Sequence, residues 1–536
     1  MKLISFFLML ACLATLPAFA VGPVKDSTEN PYSNWYNKDA ENDDVPGVSA
    51  NRVYKELTAN KQSRTVVVAI LDSGVDTDHE DLKGKIWINR DEIPGNGKDD
   101  DNNGYIDDVH GWNFLGNESG ENVEHATLEM TRLYKKYSGQ FGDRKGGQIK
   151  KDEKKDYKLY QEIKKDYLEK RASAEMMIES LKDFHRVFGM ADSVVIEYLG
   201  KENYTEKDLK SIETEDVRTM KLAEFLISLA EQGFSREEYM GLRNHYVSQL
   251  NYHLNPDFDS RPVIGDDPED MSERYYGNND VQGPDPSHGT HVAGIVAAVR
   301  DNGIGMDGIA EDVEIMAVRV VPDGDEYDKD VANGIRYAVD NGANIINMSF
   351  GKKYSANVGV VAEAIQYAAS KGVLMIHAAG NDAENNDKVI HYPTVREGMD
   401  EEPEAWLVTG ASSMETGLRL PGIFSNYGRR TVDLFAPGVD IYSLKPGDKY
   451  AVNSGTSMAA PATAGVAALV MSYYPDLTAV QVKQLLVESA QDHGKMKVYR
   501  PGHGKTKKTK FKKLSETGGV VNAYAAMKLA EEMATK

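Results

Sequence analysis

Three side chains in this 536-residue sequence carry the parts of a nucleophilic reaction. Ser457 stands in Gly455-Thr456-Ser457-Met458-Ala459-Ala460-Pro461, followed by small, helix-forming residues up to Leu469. That pattern predicts a loop that delivers the hydroxyl onto the first turn of a buried helix. There it meets unpaired backbone N–H groups and the positive end of the helix dipole, which stabilise a developing oxyanion. A lone serine before a helix is ordinarily a cap, but two further stretches change the reading. Val68-Ala69-Ile70-Leu71-Asp72-Ser73-Gly74 ends an apolar strand run with a carboxylate. His288-Gly289-Thr290-His291-Val292-Ala293-Gly294 opens a helix with an imidazole. A buried Asp72, a His288 that it orients and a Ser457 that the imidazole deprotonates would make a triad. His291, on the same helix, reads as a packed core histidine.

The elements that must position these groups alternate along the chain. Ile315 to Val321 reads as a strand, Val331 to Asp340 as a helix, Ile345 to Met348 as a strand, Val360 to Ala369 as a helix and Val373 to Ala378 as a strand. Apolar runs separated by helices of this length predict an α/β fold. Its sheet would be mostly parallel and covered by helices on both faces, with active sites gathered at the carboxyl ends of the strands. Asp72, Ser349-Phe350-Gly351 and Ala379-Gly380-Asn381 all lie just beyond such ends, so topology alone draws them together.

The three strings, in the chain order Asp, His, Ser, resemble the motifs of the subtilisin-like serine peptidases, the subtilases. The resemblance covers Thr65 to about Asn117 and Tyr276 to about Met533, with a long unmatched segment between. It implies a subtilisin-like fold and hydrolysis of peptide bonds in protein or peptide substrates by Asp72, His288 and Ser457. Asn381 takes the place of the family's side-chain donor to the oxyanion, a role that suits an amide because it donates without adding charge. Ser349, Phe350 and Gly351, with Ala379 and Gly380, resemble the two walls of the family's S1 pocket, whose exposed edges would pair with an extended substrate backbone. Two readings of other classes stand beside this one. The first is a catalytically silent, peptide-binding subtilase relative gated by its helical insertion. The second is an α/β-hydrolase esterase, which the missing second glycine of G-x-S-x-G and the triad order oppose.

Past the first motif, Asp99-Asp100-Asp101-Asn102-Asn103-Gly104-Tyr105-Ile106-Asp107-Asp108 places side-chain oxygens at alternate positions, glycine sixth and an apolar residue eighth. This is the first part of a calcium loop, although the twelfth position is His110 and not a bidentate Glu. The clustered carboxylates repel one another unless a cation neutralises them. The expected ligands of a structural Ca2+ are Asp99, Asp101, Asn103, the Tyr105 carbonyl and Asp107. The alternative is a solvated acidic turn.

Composition bounds the rest. A formal charge of −22 disfavours nonspecific nucleic-acid binding. Residues 1–20 read as a signal peptide ending in Ala18-Phe19-Ala20, which places the protein outside the cytoplasm, secreted or periplasmic, with no integral membrane segment after cleavage. A lipoprotein anchored at Cys12 is disfavoured because the residues after it stay apolar. Cys12 is the only cysteine, so the exported chain would hold no disulfide. Residues 21–64, too short for the family's usual propeptide, are expected to wrap the core. Residues 65–118 and 276–536 form the catalytic domain in two parts. Residues 119–275 are expected to be an inserted helical subdomain, rich in Lys, Glu, Tyr and Leu, with apolar residues at helical spacing such as Leu159, Ile163 and Tyr167, and helix-start boxes at Thr205 and Ser235. Its role is either structural or regulatory, the latter with a partner of its own. Lys495 to Lys513 reads as a basic loop, ordinarily just solvated, that could instead grip an acidic partner or the chain's own acidic surface.

Overall fold

The computed structural model describes residues 30–231, 234 and 236–535. The expected signal peptide and the expected cap Ser235 lie outside them. The chain divides into two compact units, Met1–Glu124 with Ser260–Lys536, and His125–Asp259.

The first unit is built on strands β1 (Val66–Asp72), β2 (Gly111–Asn113), β3 (Val313–Arg319), β4 (Ile345–Met348), β5 (Leu374–Ala378), β6 (Trp406–Ser412) and β7 (Leu434–Pro437). Then follow β8 (Ile441–Lys445), β9 (Lys449–Asn453), β10 (Gln491–Asp492), β11 (Lys497–Tyr499), β12 (Lys508–Lys510) and β13 (Gly519–Val520). One sheet takes the order β10-β13-β7-β6-β5-β4-β1-β3-β2. It is parallel throughout except at the β10–β13 edge. The pleat of β1 sends Val66, Val68 and Ile70 to one core and Ala69 and Leu71 to another. Burial on both faces is why such strands read as unbroken apolar runs. Helices Ser287–Ala297 and Thr456–Tyr473 cover the first face, and Asp328–Asp340 and Val358–Ser370 the second. The expected mostly parallel α/β architecture is the observed one.

The segment before β1 is part of the first core. Trp35 and Tyr36 are buried and bond through Nε1 and the hydroxyl to the carbonyls of Asp440 and Asp307. Val53, on helix Ala50–Glu56, is buried in the same core.

The second unit is helical: Glu129–Phe141, the 46-residue Lys154–Leu199, Glu206–Lys210, Val217–Glu231 and Arg236–Ser248. Phe188, Ala191 and Val195 pack on Leu209, Ala223, Leu226 and Tyr239. Thr205 and Asp208 form a reciprocal capping box. The unit is narrower than the 119–275 read from texture. Val123 packs with Leu115 and Ile264 in the first unit. Arg261 and Lys329 are tied to Asp330 and Glu273 at 2.6 Å each, which holds the downstream flank there too. Lys495–Lys513 also departs from the expected loop, because β11 and β12 pair as an antiparallel hairpin. Among the described residues no helix is long and apolar enough to cross a membrane.

Candidate active site

Asp72 ends β1 and is buried. His288 lies on the first turn of Ser287–Ala297, which rests directly on the loop after β1: a Cβ at Gly289 would sit 2.1 Å from the Gly74 carbonyl. Only glycine permits that approach. It brings His288 Nδ1 to 2.7 Å from Asp72 Oδ1, which also accepts the Ser73 N–H at 2.8 Å. A carboxylate only accepts, so Nδ1 carries the proton and Nε2 keeps its lone pair. Burial of the ring lowers the pKa of His288, but the charge and hydrogen bond of Asp72 outweigh it and hold the imidazole above its ordinary value. His291 is a core residue, as read. Its Nε2 meets the Ile441 and Ala451 carbonyls at 3.2 Å, and burial pushes its pKa down to about 3.

One positioning group has no mark in the sequence pattern. Arg319 pairs with Asp72 across β1–β3, is buried, and donates Nε to the Ser73 carbonyl at 2.9 Å. A guanidinium there fixes the chain immediately after Asp72.

Ser457 sits on the first turn of Thr456–Tyr473. Four residues on, Pro461 has no N–H to donate back to the Ser457 carbonyl. The hydroxyl of Ser349 takes that place at 2.9 Å, and itself accepts from Asn347 Nδ2 at 3.0 Å. Ser457 Oγ in turn donates to the Ser349 carbonyl at 3.0 Å. The structure thus joins Asp72 to His288, and Ser457 to Ser349 instead of to the imidazole. Rotation about the Ser457 side chain re-aims the hydroxyl without moving the helix, and such hydrogen bonds tighten when substrate is present.

The Asn381 side chain is aimed by its neighbour Thr456. Its Oδ1 accepts the Thr456 N–H at 2.9 Å and hydroxyl at 3.0 Å, while the same hydroxyl accepts the Gly380 N–H at 3.0 Å. The amide Nδ2 is left on the other side, 3.5 Å from where a Cβ on Gly455 would stand, and Ser457 N is equally close to that point. Two donors therefore converge near one position. Gly380 has φ +104, a conformation that favours glycine.

Ser349, Phe350 and Gly351 line a cavity of about 430 Å³ together with Asp72, His288 and an acidic rim of Glu124, Asp285, Asp323, Asp325 and Glu326. Burial holds the Glu326 carboxyl above the usual carboxylate range. Ala379 and Gly380 are not in that lining, and Ala379 is buried among Tyr427, Phe435 and Val498. His377, which the motif reading passed over, buttresses this wall from β5 by bonding the Phe350 carbonyl at 2.9 Å, and burial pushes its pKa down to about 4.

In the acidic loop, Asp99 and Asp101 each bring a carboxylate oxygen within 4.8 Å of the others and of Glu92. Glu92, outside the ten-residue string, is buried, and among the described residues its Oε2 has no hydrogen-bond partner. A buried, unpartnered carboxylate oxygen facing two others fits a hard cation. Of the expected ligands, Asp99 and Asp101 lie in this cluster. Asn103 Oδ1 accepts the Tyr105 N–H, and the Asp107 carboxylate accepts the Asn96 and Gly97 N–H groups.

With this geometry in place, comparison with known proteins is specific. The model of the Subtilase family matches residues 63–172 and 197–517. The chain is 36% identical over 239 residues to the thermophilic serine proteinase of Bacillus sp. (strain AK1), covering 44% of this chain and 53% of that one. It is 36% identical over 229 residues to the thermostable alkaline protease of Halalkalibacterium halodurans, covering 42% and 57%. It is also 35% identical over 217 residues to subtilisin DY of Bacillus licheniformis, covering 40% and 74%. The match spans little more than half the length of the first two relatives.

Proposed function

This chain is a member of the subtilase family, and on that footing we propose that it is an exported serine endopeptidase acting through Asp72, His288 and Ser457. The observation that carries this reading is the 2.7 Å contact from His288 Nδ1 to Asp72 Oδ1, which leaves Nε2 as the proton acceptor. A bound peptide displaces the Ser457 hydroxyl from the Ser349 carbonyl, and Oγ attacks the scissile carbonyl carbon as Nε2 takes its proton. The resulting oxyanion accepts hydrogen bonds from Ser457 N and Asn381 Nδ2. The imidazolium, steadied by Asp72, then protonates the leaving amine. A water molecule, deprotonated by the same nitrogen, hydrolyses the acyl-enzyme. Phe350 and Gly351 form one wall for the substrate side chain, and Ser349 braces the nucleophile.

A fluorophosphonate probe tests this directly. The wild type should be labelled at Ser457 within minutes, and no labelling would favour the silent peptide-binding alternative. Asn381→Ala should lower kcat by roughly 10²–10³-fold with little change in KM, because its donor matters chiefly once the oxyanion forms. A change confined to KM in steady-state assays would reassign Asn381 to substrate positioning.

Calcium belongs to the same reading. Subtilases are generally calcium-binding proteins, and here Glu92, Asp99 and Asp101 would hold the ion. It would neutralise their mutual repulsion and pin a loop that has no disulfide to secure it. An ion bound only by the folded state adds RT ln(1 + [L]/Kd), about 2.7 kcal/mol at a hundredfold excess over Kd. Melting curves in EGTA and in millimolar calcium should therefore separate for the wild type and for Asp107→Asn, and should superimpose for Glu92→Gln. Superimposed wild-type curves would remove the metal from the account.

A further inference from the structure

Building on the peptidase reading above, we propose that the hairpin β11–β12 is an exosite that captures an acidic segment of the protein substrate. From Lys495 to Lys513 the chain holds eight lysines, one arginine and no acidic residue, in a molecule of charge −22. The register is Lys497↔Lys510, Val498↔Thr509 and Tyr499↔Lys508. The pleat turns Val498 into a core shared with Phe435 and Phe511, which leaves Lys497, Tyr499, Lys508 and Lys510 on the outer face. Lys497 and Lys510 stand directly opposite each other, an arrangement that destabilises a strand pair unless an anion intervenes. All eight lysines are exposed, and among the described residues none of them is in an ion pair. Arg500 is engaged elsewhere, on the Tyr427 hydroxyl at 2.7 Å, and the Gly502 N–H donates to the Ile423 carbonyl. The cationic face is therefore anchored and preformed.

Its position gives it a role. A Cβ on Gly502 would lie 3.0 Å from Ala383 Cβ, and Ala383 is two residues beyond Asn381. At about 3.8 Å per Cα step the hairpin loop lies within about 14 Å of Asn381, so a peptide extended from the scissile bond reaches the lysines after about four to eight residues. The partner is a short acidic peptide and not a phosphate surface. An anionic bilayer or a nucleic acid repels the whole negatively charged molecule. A flexible segment instead senses only the patch, within a Debye length of about 8 Å.

The test uses fluorogenic peptides that share a neutral cleavable core and carry, six residues away on either side, a tail of four Glu or four Gln. For the wild type in low salt, one Glu-tailed peptide should show a KM about tenfold below its Gln counterpart at equal kcat, the summed effect of several exposed ion pairs. Half-molar salt should abolish the difference. The variant Lys497→Gln/Lys508→Gln/Lys510→Gln should lose the preference while keeping wild-type kcat/KM on the Gln-tailed peptides and an undiminished Tm. Equal KM values for the two tails overturn the proposal, as does a preference that survives in the variant. So does hairpin-dependent binding of phosphatidylglycerol vesicles or duplex DNA without any tail effect. Fluorescence anisotropy of the labelled peptides, read without turnover, measures the exosite even if hydrolysis and fluorophosphonate labelling both fail, so failure here is distinguishable from failure of the peptidase reading.

Discussion

Ser457→Ala should lower kcat on a peptide substrate by about 10⁶-fold, the scale on which subtilisin depends on its serine. Among the described residues its one side-chain hydrogen bond is to the Ser349 carbonyl, so the substitution forfeits about 1 kcal/mol of stability. The helix start is retained, because Gly455 and Thr456 shape it and the Ser457 carbonyl keeps its bond from Ser349 Oγ. Peptide affinity should therefore persist while turnover vanishes, apart from the residual rate that the oxyanion donors and bound geometry supply. The measurement is single-turnover hydrolysis beside equilibrium binding of the same peptide. A variant that binds and still cleaves within a hundredfold of wild type would place the nucleophile elsewhere.

Much of the fold was legible in the sequence because a doubly covered parallel sheet writes itself as local apolar runs. β4 reads Ile345 to Met348 in both sequence and structure, and β3 begins two residues before the expected Ile315. The candidate site is legible only where one short string carries both a reactive group and its support, as Gly289 beside His288 does. Its nonlocal parts left no such trace. The part Pro461 plays shows only through the bond from Ser349 to the Ser457 carbonyl, and that of Thr456 only through its bonds to Asn381. Arg319 lies 246 positions from the Ser73 carbonyl that it holds. Glu92 escaped because a loop-periodicity argument cannot reach a carboxylate outside the ten residues it counts. Alternation in Lys497-Val498-Tyr499 was there to be read, but three residues are too few to separate a strand from a basic loop.

Asp72→Asn should cost about 10⁴-fold in kcat near neutral pH while leaving the fold intact. Asp72 Oδ1 accepts from both His288 Nδ1 and Ser73 N, and Oδ2 is buried with no hydrogen-bond partner among the described residues. An asparagine can keep its oxygen toward these donors, which preserves the tautomer but removes the charge that steadies the imidazolium. It can also turn its amide toward Nδ1, which forces the proton onto Nε2 and leaves no base for Ser457. The pH profile separates the first case from a purely structural defect. In the wild type the imidazole is held above its ordinary value, so kcat/KM falls as pH drops through a point above about 6.5. Without the carboxylate, burial is the chief remaining influence and it lowers the pKa, so the acid limb should move to or below about 6.5. A variant that loses activity with its acid limb unmoved and its Tm collapsed would mean that Asp72 only secures the end of β1. A variant with near-wild-type kcat would remove Asp72 from the reaction altogether.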